Sequence, residues 1–425
     1  MRTRLLTLCI VSSLAAVADT SFGQGFVLTG VGPVNRSMGG VATAAPVDAT
    51  GAIQWNPAAI SGLPASRVDI GVDLVYNRNR VNSGVALGTP GQITGSTDSN
   101  SGVSPLPAIG LVYKPDASPW TYGLGLNTVG GFMVNFPAST SNPIFIPPGA
   151  GGVIGQSYSR LAVLQVAPTI AYELSEGLSF GVAPTINMVD AQASPFPFAA
   201  PNAGGFPQAV GNRPVWGLGI QAGLFYQSQS GINLGASIKS PQWFERFEWN
   251  STDDAGLPRD VSSQLEFPMI VSLGAAYAGI EHVLLGVDVR YVDFDSTQGF
   301  GEPTTITPNG LTGLGWESVI LVAFGAQVEV TDRLTLRAGY SYHDNPIREM
   351  DTMFNILAPA PYQHLLSLGG SCQLTDAIIA NFGWVHAFDK TINGPIIGPA
   401  GPVPLSNVGL SQETDSFLLG LSVLF

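Results

Sequence analysis

The chain is 425 residues long, 45% hydrophobic and only 11% charged, with a formal net charge of −13. A soluble domain carries roughly twice that share of charged residues, and a polyanion such as nucleic acid is repelled by this balance. Beyond residue 20 no uninterrupted apolar run reaches the length of a membrane-spanning helix, whereas the 52 Gly and 32 Pro suit strands and turns.

The first element is a targeting segment. Arg2 and Arg4 precede the apolar run Leu5–Val11, and the small residues Ala16–Ala18 follow. Basic, apolar, then small is the order of an export signal. Residues 1–23 are therefore expected to be removed, with cleavage after Ala18 or near Gly23. Cys9 leaves with them, so Cys372 has no partner for an internal disulfide. Residues 24–66 follow without any two-residue alternation and are rich in Gly and Ala.

From residue 67 to the end the pattern changes. Apolar residues alternate with polar or small ones in about fourteen segments: 68–77, 108–114, 120–128, 159–172, 178–190, 214–227, 231–240, 268–278, 282–292, 318–330, 334–342, 363–374, 378–388 and 416–425. A period of two is that of a strand. Short links such as "TDR" and "TDA" alternate with long ones, 129–158 and 191–213 among them. Short turns on one side and long loops on the other are the signature of an outer-membrane barrel. The reading is all-β: a transmembrane antiparallel barrel of about 14 strands over 67–425, in the cell outer membrane. Tyr113, Trp120, Tyr226 and Tyr277 beside short turns, and Tyr76, Tyr291 and Tyr342 beside long loops, fit two interfacial girdles. The final strand must pair with the first, because an open edge in lipid leaves backbone groups unsatisfied; Phe425 is expected to face lipid at the interface.

A fourteen-stranded bore is wider than side chains alone fill and narrower than an open channel. The segment 24–66, arriving from the periplasmic side, is expected to fill it as a hatch inside the lumen. Its residues resemble the N-terminal hatch of the FadL-type outer-membrane transporters of long-chain fatty acids and aromatic hydrocarbons. The likeness rests on Gly25-Phe26, Arg36 with Gly39-Gly40, Asp48-Ala49 and the signature Asn56-Pro57-Ala58. "RAGYSYHDNPI" (Arg337–Ile347), the following "HLLSLGGS" and the terminal Phe425 extend it to the end of the chain. A local reading of Asn56-Pro57 also stands: Asn caps and Pro starts a short helix. The resemblance implies a fourteen-stranded fold and a route in which ligand lands between outer loops, enters a lumen pocket, and leaves after the hatch rearranges, in part through a gap in the wall. The Gly-rich stretch Thr121–Gly131 is where a kink for such a gap is expected.

The loops indicate what passes. Residues 129–158 carry no charged side chain and 191–213 carry only Arg213. Exposed apolar loops mark a binding surface, so Phe132, Phe136, Phe145, Phe196 and Phe198 are candidates for hydrophobic capture. A carboxylate-bearing cargo needs an inward cation; Lys239, Arg290 and Arg337 are the candidates, against the plainer reading that Arg290 pairs with Asp288 and Arg337 with Glu329 or Asp73. The function expected is passive uptake of hydrophobic small molecules, fatty acids or hydrocarbons. A general porin is the alternative. A hydrolase is the remote one: four His are present, "HDN" at His343–Asn345 is the least implausible constellation, and no nucleophile elbow accompanies it. No catalytic residue, cofactor or metal ligand set is assigned. The expected partners are a hydrophobic ligand, outer-membrane lipid and the barrel-assembly machinery, with the chain a monomer.

Overall fold

The computed structural model describes residues 26–86, 92–146, 155–202, 205–211, 213–252, 257–398 and 400–425. The signal segment and Gly25 lie outside the described residues. Fourteen long strands form the wall: β1 Arg67–Ala86, β2 Val103–Tyr113, β3 Trp120–Phe136, β4 Ser157–Ser175, β5 Leu178–Ser194, β6 Val215–Gln227, β7 Ile232–Lys239, β8 Met269–Ile280, β9 Val283–Asp293, β10 Val319–Thr331, β11 Leu334–His343, β12 His364–Gln373, β13 Ile378–Gly394 and β14 Ser406–Leu424. Each pairs antiparallel with its chain neighbours. The ring closes where β1 pairs with β14, from Arg67 opposite Leu424 to Val85 opposite Ser406.

Alternation explains the wall. On β14, Phe417, Leu419, Leu421 and Val423 are exposed on the outside, while Ser416, Leu418 and Ser422 are buried inside. This is the inverse of a soluble protein, as a barrel solvated by acyl chains requires. Tyr113, Trp120, Tyr226 and Tyr277 stand exposed at the short-turn end, and Tyr76 and Tyr291 at the other. Phe425, also exposed, is held by its own N–H, which donates to the Ser66 carbonyl at 3.1 Å.

Several strands outrun the alternation. β1 continues to Ala86, β3 to Phe136, and β14 begins at Ser406 rather than 416. On β1 the physical reason lies in composition: beyond the membrane both faces are polar, as in Asn77, Arg78, Asn79 and Arg80, so the ladder persists after the apolar period has stopped.

Inside the ring lies the segment from Phe26 to Ser66. It holds a turn of helix at Pro33–Arg36, a helix at Ala49–Trp55 and a 3-10 helix at Pro57–Gly62. Nearly all of it is buried. Two wall glycines make the fit possible by close approach. A methyl at Gly235 would overlap the Thr43 carbonyl, and one at Gly181 would overlap the Ala58 amide.

Candidate functional site: hatch, wall window and outer cleft

Three of the hatch's fastenings to the wall bear on the site, beside others such as Ala49 N to Asp69 Oδ2 at 2.6 Å and Lys114 Nζ to Ser61 O at 2.6 Å. Arg36 Nη1 meets Asp73 of β1 at 2.8 Å, both buried, and its Nη2 reaches Ser416 of β14 at 3.4 Å. Asp48 caps the helix Ala49–Trp55 through the Gly51 amide. Asn56 serves two ends at once. Its Oδ1 accepts from Ala58 N at 3.0 Å, capping the 3-10 helix begun by Pro57, and its Nδ2 donates to Thr43 O at 2.8 Å and to Leu224 O of β6 at 2.9 Å. The local-turn reading and the hatch reading of Asn56-Pro57-Ala58 therefore describe the same side chain.

The third fastening surrounds Arg290 and Asp288 on β9, both fully buried. They pair at 2.6 Å. Asp288 Oδ2 accepts from Ala42 N and Thr43 N at 3.0 Å each and from Thr43 Oγ1 at 2.8 Å. Arg290 donates to Thr29 O at 2.9 Å and Gly40 O at 2.5 Å, and lies 3.5 Å over the Trp55 ring. Arg290 is thus a hatch clasp and not a spare cation, which corrects its candidacy as a carboxylate partner. Arg337 is also corrected: it bonds Gln327 at 2.7 Å and Ser371 at 2.5 Å rather than Glu329 or Asp73, and Asp73 belongs to Arg36. Lys239, like Arg337 and unlike Arg290, meets no carboxylate among the described residues. It is 2% exposed and its Nζ donates to Gln165 Oε1 at 3.1 Å.

Among the described residues the longest break in the wall lies between β2 and β3; a shorter one separates Ala167–Thr169 of β4 from Ala183–Thr185 of β5. β2 pairs with β3 only from Ala108 opposite Asn127 to Tyr113 opposite Tyr122. Above that point β2 still pairs with β1 as far as Val103, and β3 with β4 as far as Phe136, so Val103–Pro107 and Thr128–Val134 face each other without a ladder. Both sides are built for it. The Pro107 carbonyl faces β3, since Thr128 Oγ1 donates to it at 3.3 Å. Pro105, two residues away, has the same orientation, and neither proline has an N–H to give. On β3 the register shifts between Thr128 and Gly130, a bulge within the Gly-rich stretch where a kink was expected. The wall rejoins above, where Asn100 N donates to Asn135 O at 2.8 Å. The window spans about seven residues of β3, or ~20 Å of strand.

The start of the hatch sits behind this window. Gly131 N donates to Phe26 O at 2.9 Å and Leu28 N to Val129 O at 3.1 Å, so the hatch supplies β3 with the partner that β2 withholds. The Phe26 ring lies within 4.7 Å of Phe300, 5.4 Å of Phe267, 5.8 Å of Phe294, 5.9 Å of Trp316 and 6.4 Å of Phe132, centre to centre. Phe26 was legible only by resemblance, and the four rings from residues 267–316 carried no signal in the sequence.

Outward of this nest is an apolar cleft of about 80 Å³. Phe132, Phe196 and Phe198 line it, together with Leu161, Trp249 and Phe300. Phe136 and Phe145 do not. They pack on each other at 5.8 Å, both buried, which corrects their assignment to the capture surface. Trp249 was missed; it lies on an outer hairpin with too short an alternation to stand out. His343 is fully buried against Tyr362, with no hydrogen-bond partner on either ring nitrogen, so "HDN" assembles no nucleophile and base. His386, Glu413 and Asp415 bring ligand atoms within 4.8 Å of one another, yet Arg78 already bonds both carboxylates, at 2.6 and 2.7 Å.

A family model described as outer membrane protein transport protein (OMPP1/FadL/TodX) matches residues 14–394. Among curated proteins none matches. Of solved structures, the toluene transporter TodX of P. putida is similar with a TM-score of 0.69 and 17% identity, covering 94% of this chain and 99% of that one. A Pseudomonas aeruginosa FadL homologue gives 0.70 and 15%, covering 95% and 100%. The Ralstonia pickettii toluene transporter TbuX gives 0.67 and 17%, covering 94% and 99%. At these identities the likeness is one of fold.

Proposed function

The chain belongs to the OMPP1/FadL/TodX family of outer-membrane transport proteins, and from that premise we propose a path for its hydrophobic cargo. The cargo is captured in the cleft beside Phe132, Phe196 and Phe198. It then moves into the aromatic nest by displacing Phe26, and leaves sideways through the window between β2 and β3. The hatch closes the alternative way down. The protein acts as a passive conduit and carries out no chemistry on the cargo.

What supports this reading is the window. A gap in a lipid-facing ladder leaves backbone groups without partners, each at a cost of several kcal/mol in hydrocarbon. This chain limits that cost by placing Pro105 and Pro107, which have no N–H, on one edge, and its own Phe26–Leu28 against the other. An open porin is disfavoured because a buried segment fills the bore and the cleft above it is apolar.

The test replaces Pro105 and Pro107 together by Thr, restoring two donors toward β3. Uptake of a radiolabelled hydrocarbon by cells relying on this transporter is expected to fall at least tenfold, while ligand still binds the purified protein. Unchanged uptake, with the barrel inserted normally, would remove the window from the route.

A further inference from the structure

The cleft offers about 80 Å³, whereas an enclosed apolar cavity that takes up benzene measures ~150 Å³. A single aromatic ring is not fully enclosed there until one part of the lining yields. Most of the lining is anchored. Phe132, Leu161 and Ala191 sit on the barrel strands β3, β4 and β5. Phe300 is packed at 5.0 Å on Trp316, whose indole N–H donates to Asn355 at 2.6 Å. Phe196 N donates to Pro207 O at 2.7 Å.

Trp249 is held differently. It lies on an outer hairpin, Phe247–Thr252 paired with Pro258–Ser263, which forms a sheet separate from the barrel. Among the described residues, no backbone hydrogen bond joins these two strands to the rest of the chain. Three side-chain bonds do so: the Trp249 indole N–H donates to Ala191 O at 2.8 Å, Arg259 donates to Ala200 O at 2.6 Å, and the adjoining Arg246 donates to Ser262 Oγ at 2.9 Å. The indole is 2% exposed and stands 5.0 Å from the Phe196 ring. It is a large ring held to the barrel by one hydrogen bond and no strand pairing, so it can withdraw without breaking the wall.

We infer that Trp249 is the size-determining residue of the cleft: its indole occupies the space an incoming ring takes, and the volume it releases on withdrawal sets how many fused rings are admitted. This rests on the uptake reading above and adds to it the residue that sets the size of the cargo. The Trp249–Ala191 bond is the catch that holds the closed form.

The experiment measures equilibrium binding of toluene and of 1-methylnaphthalene to the full protein in lipid nanodiscs. Wild type is expected to favour toluene by at least tenfold. Trp249→Ala should gain affinity for the two-ring probe and bring the ratio below threefold; Trp249→Leu serves if the alanine variant does not insert. Trp249→Phe keeps a ring but loses the N–H. It should retain the size preference and bind toluene about fivefold more tightly, because the closed form loses the worth of one ordinary hydrogen bond. A ratio unchanged in Trp249→Ala, in protein that still binds toluene, overturns the inference while leaving the uptake path intact. Wild type that binds neither probe overturns the capture cleft itself, and this inference with it.

Discussion

Removing the Asp288 carboxylate should unseat the hatch without dissolving the barrel. Asp288 is fully buried and accepts three hydrogen bonds from Ala42 and Thr43 as well as the Arg290 pair. Asp288→Ala strips all of these and leaves a guanidinium buried without its counter-charge. Breaking one side of a buried ion pair costs ~3–5 kcal/mol, and each lost hydrogen bond to a charged acceptor adds ~1.5–3 kcal/mol before relaxation. Even ~5 kcal/mol moves the ratio of seated to unseated hatch by a factor of ~10³–10⁴. The fastenings at Arg36–Asp73 and Asn56 remain, so the unseated form should be transient. In a planar bilayer the wild type should be nearly silent and Asp288→Ala should show frequent brief openings, with the barrel's heat-modifiable mobility retained. The double variant Asp288→Ala/Arg290→Met, lacking the orphaned charge, should be quieter than the single one, since the pair is coupled. A single variant as silent as wild type, in an intact barrel, would refute the clasp.

Three further outcomes follow from the same geometry. Deleting residues 26–66 should leave a folded barrel that leaks ions steadily; an unchanged conductance would mean that something else fills the bore. Asn56→Ala loses a helix cap and the two bonds to Thr43 and Leu224, together ~2–3 kcal/mol of hatch stability; ligand uptake should fall more than the barrel's thermal midpoint, and equal losses would reduce Asn56 to a turn residue. Lys239→Met removes the buried ammonium that bonds Gln165 and no carboxylate; if this group receives an acidic cargo, binding of decanoate should weaken at least tenfold relative to decanol, and an unchanged ratio would dismiss it.

The wall was largely legible because lipid on one side and polar packing on the other impose a period of two, and every one of the fourteen segments reads it. The hatch was legible as the one stretch lacking that period, and its Asn56 as a cap; the cap at Asp48 came only with the structure. The window was half legible: the Gly-rich Thr121–Gly131 pointed to a kink, but the part played by Pro105 and Pro107 depends on register, which no single segment reveals. Arg290 and Asp288 were paired correctly from their i, i+2 spacing on one strand face. That their remaining bonds all go to the hatch was not visible, since Thr29 and Gly40 lie some 250 residues earlier in the chain.

The sequence by itself determined the barrel, its strand number and its stopper, because solvent polarity writes itself into local alternation and into its absence. Only the tertiary structure decided which charges are fastenings, which rings enclose Phe26 and which line the cleft, and that Phe136 and Phe145 do neither. Those outcomes depend on which distant strands share a height in the bore, and shared height is set by the stagger of the closed ring, a property of all fourteen strands together.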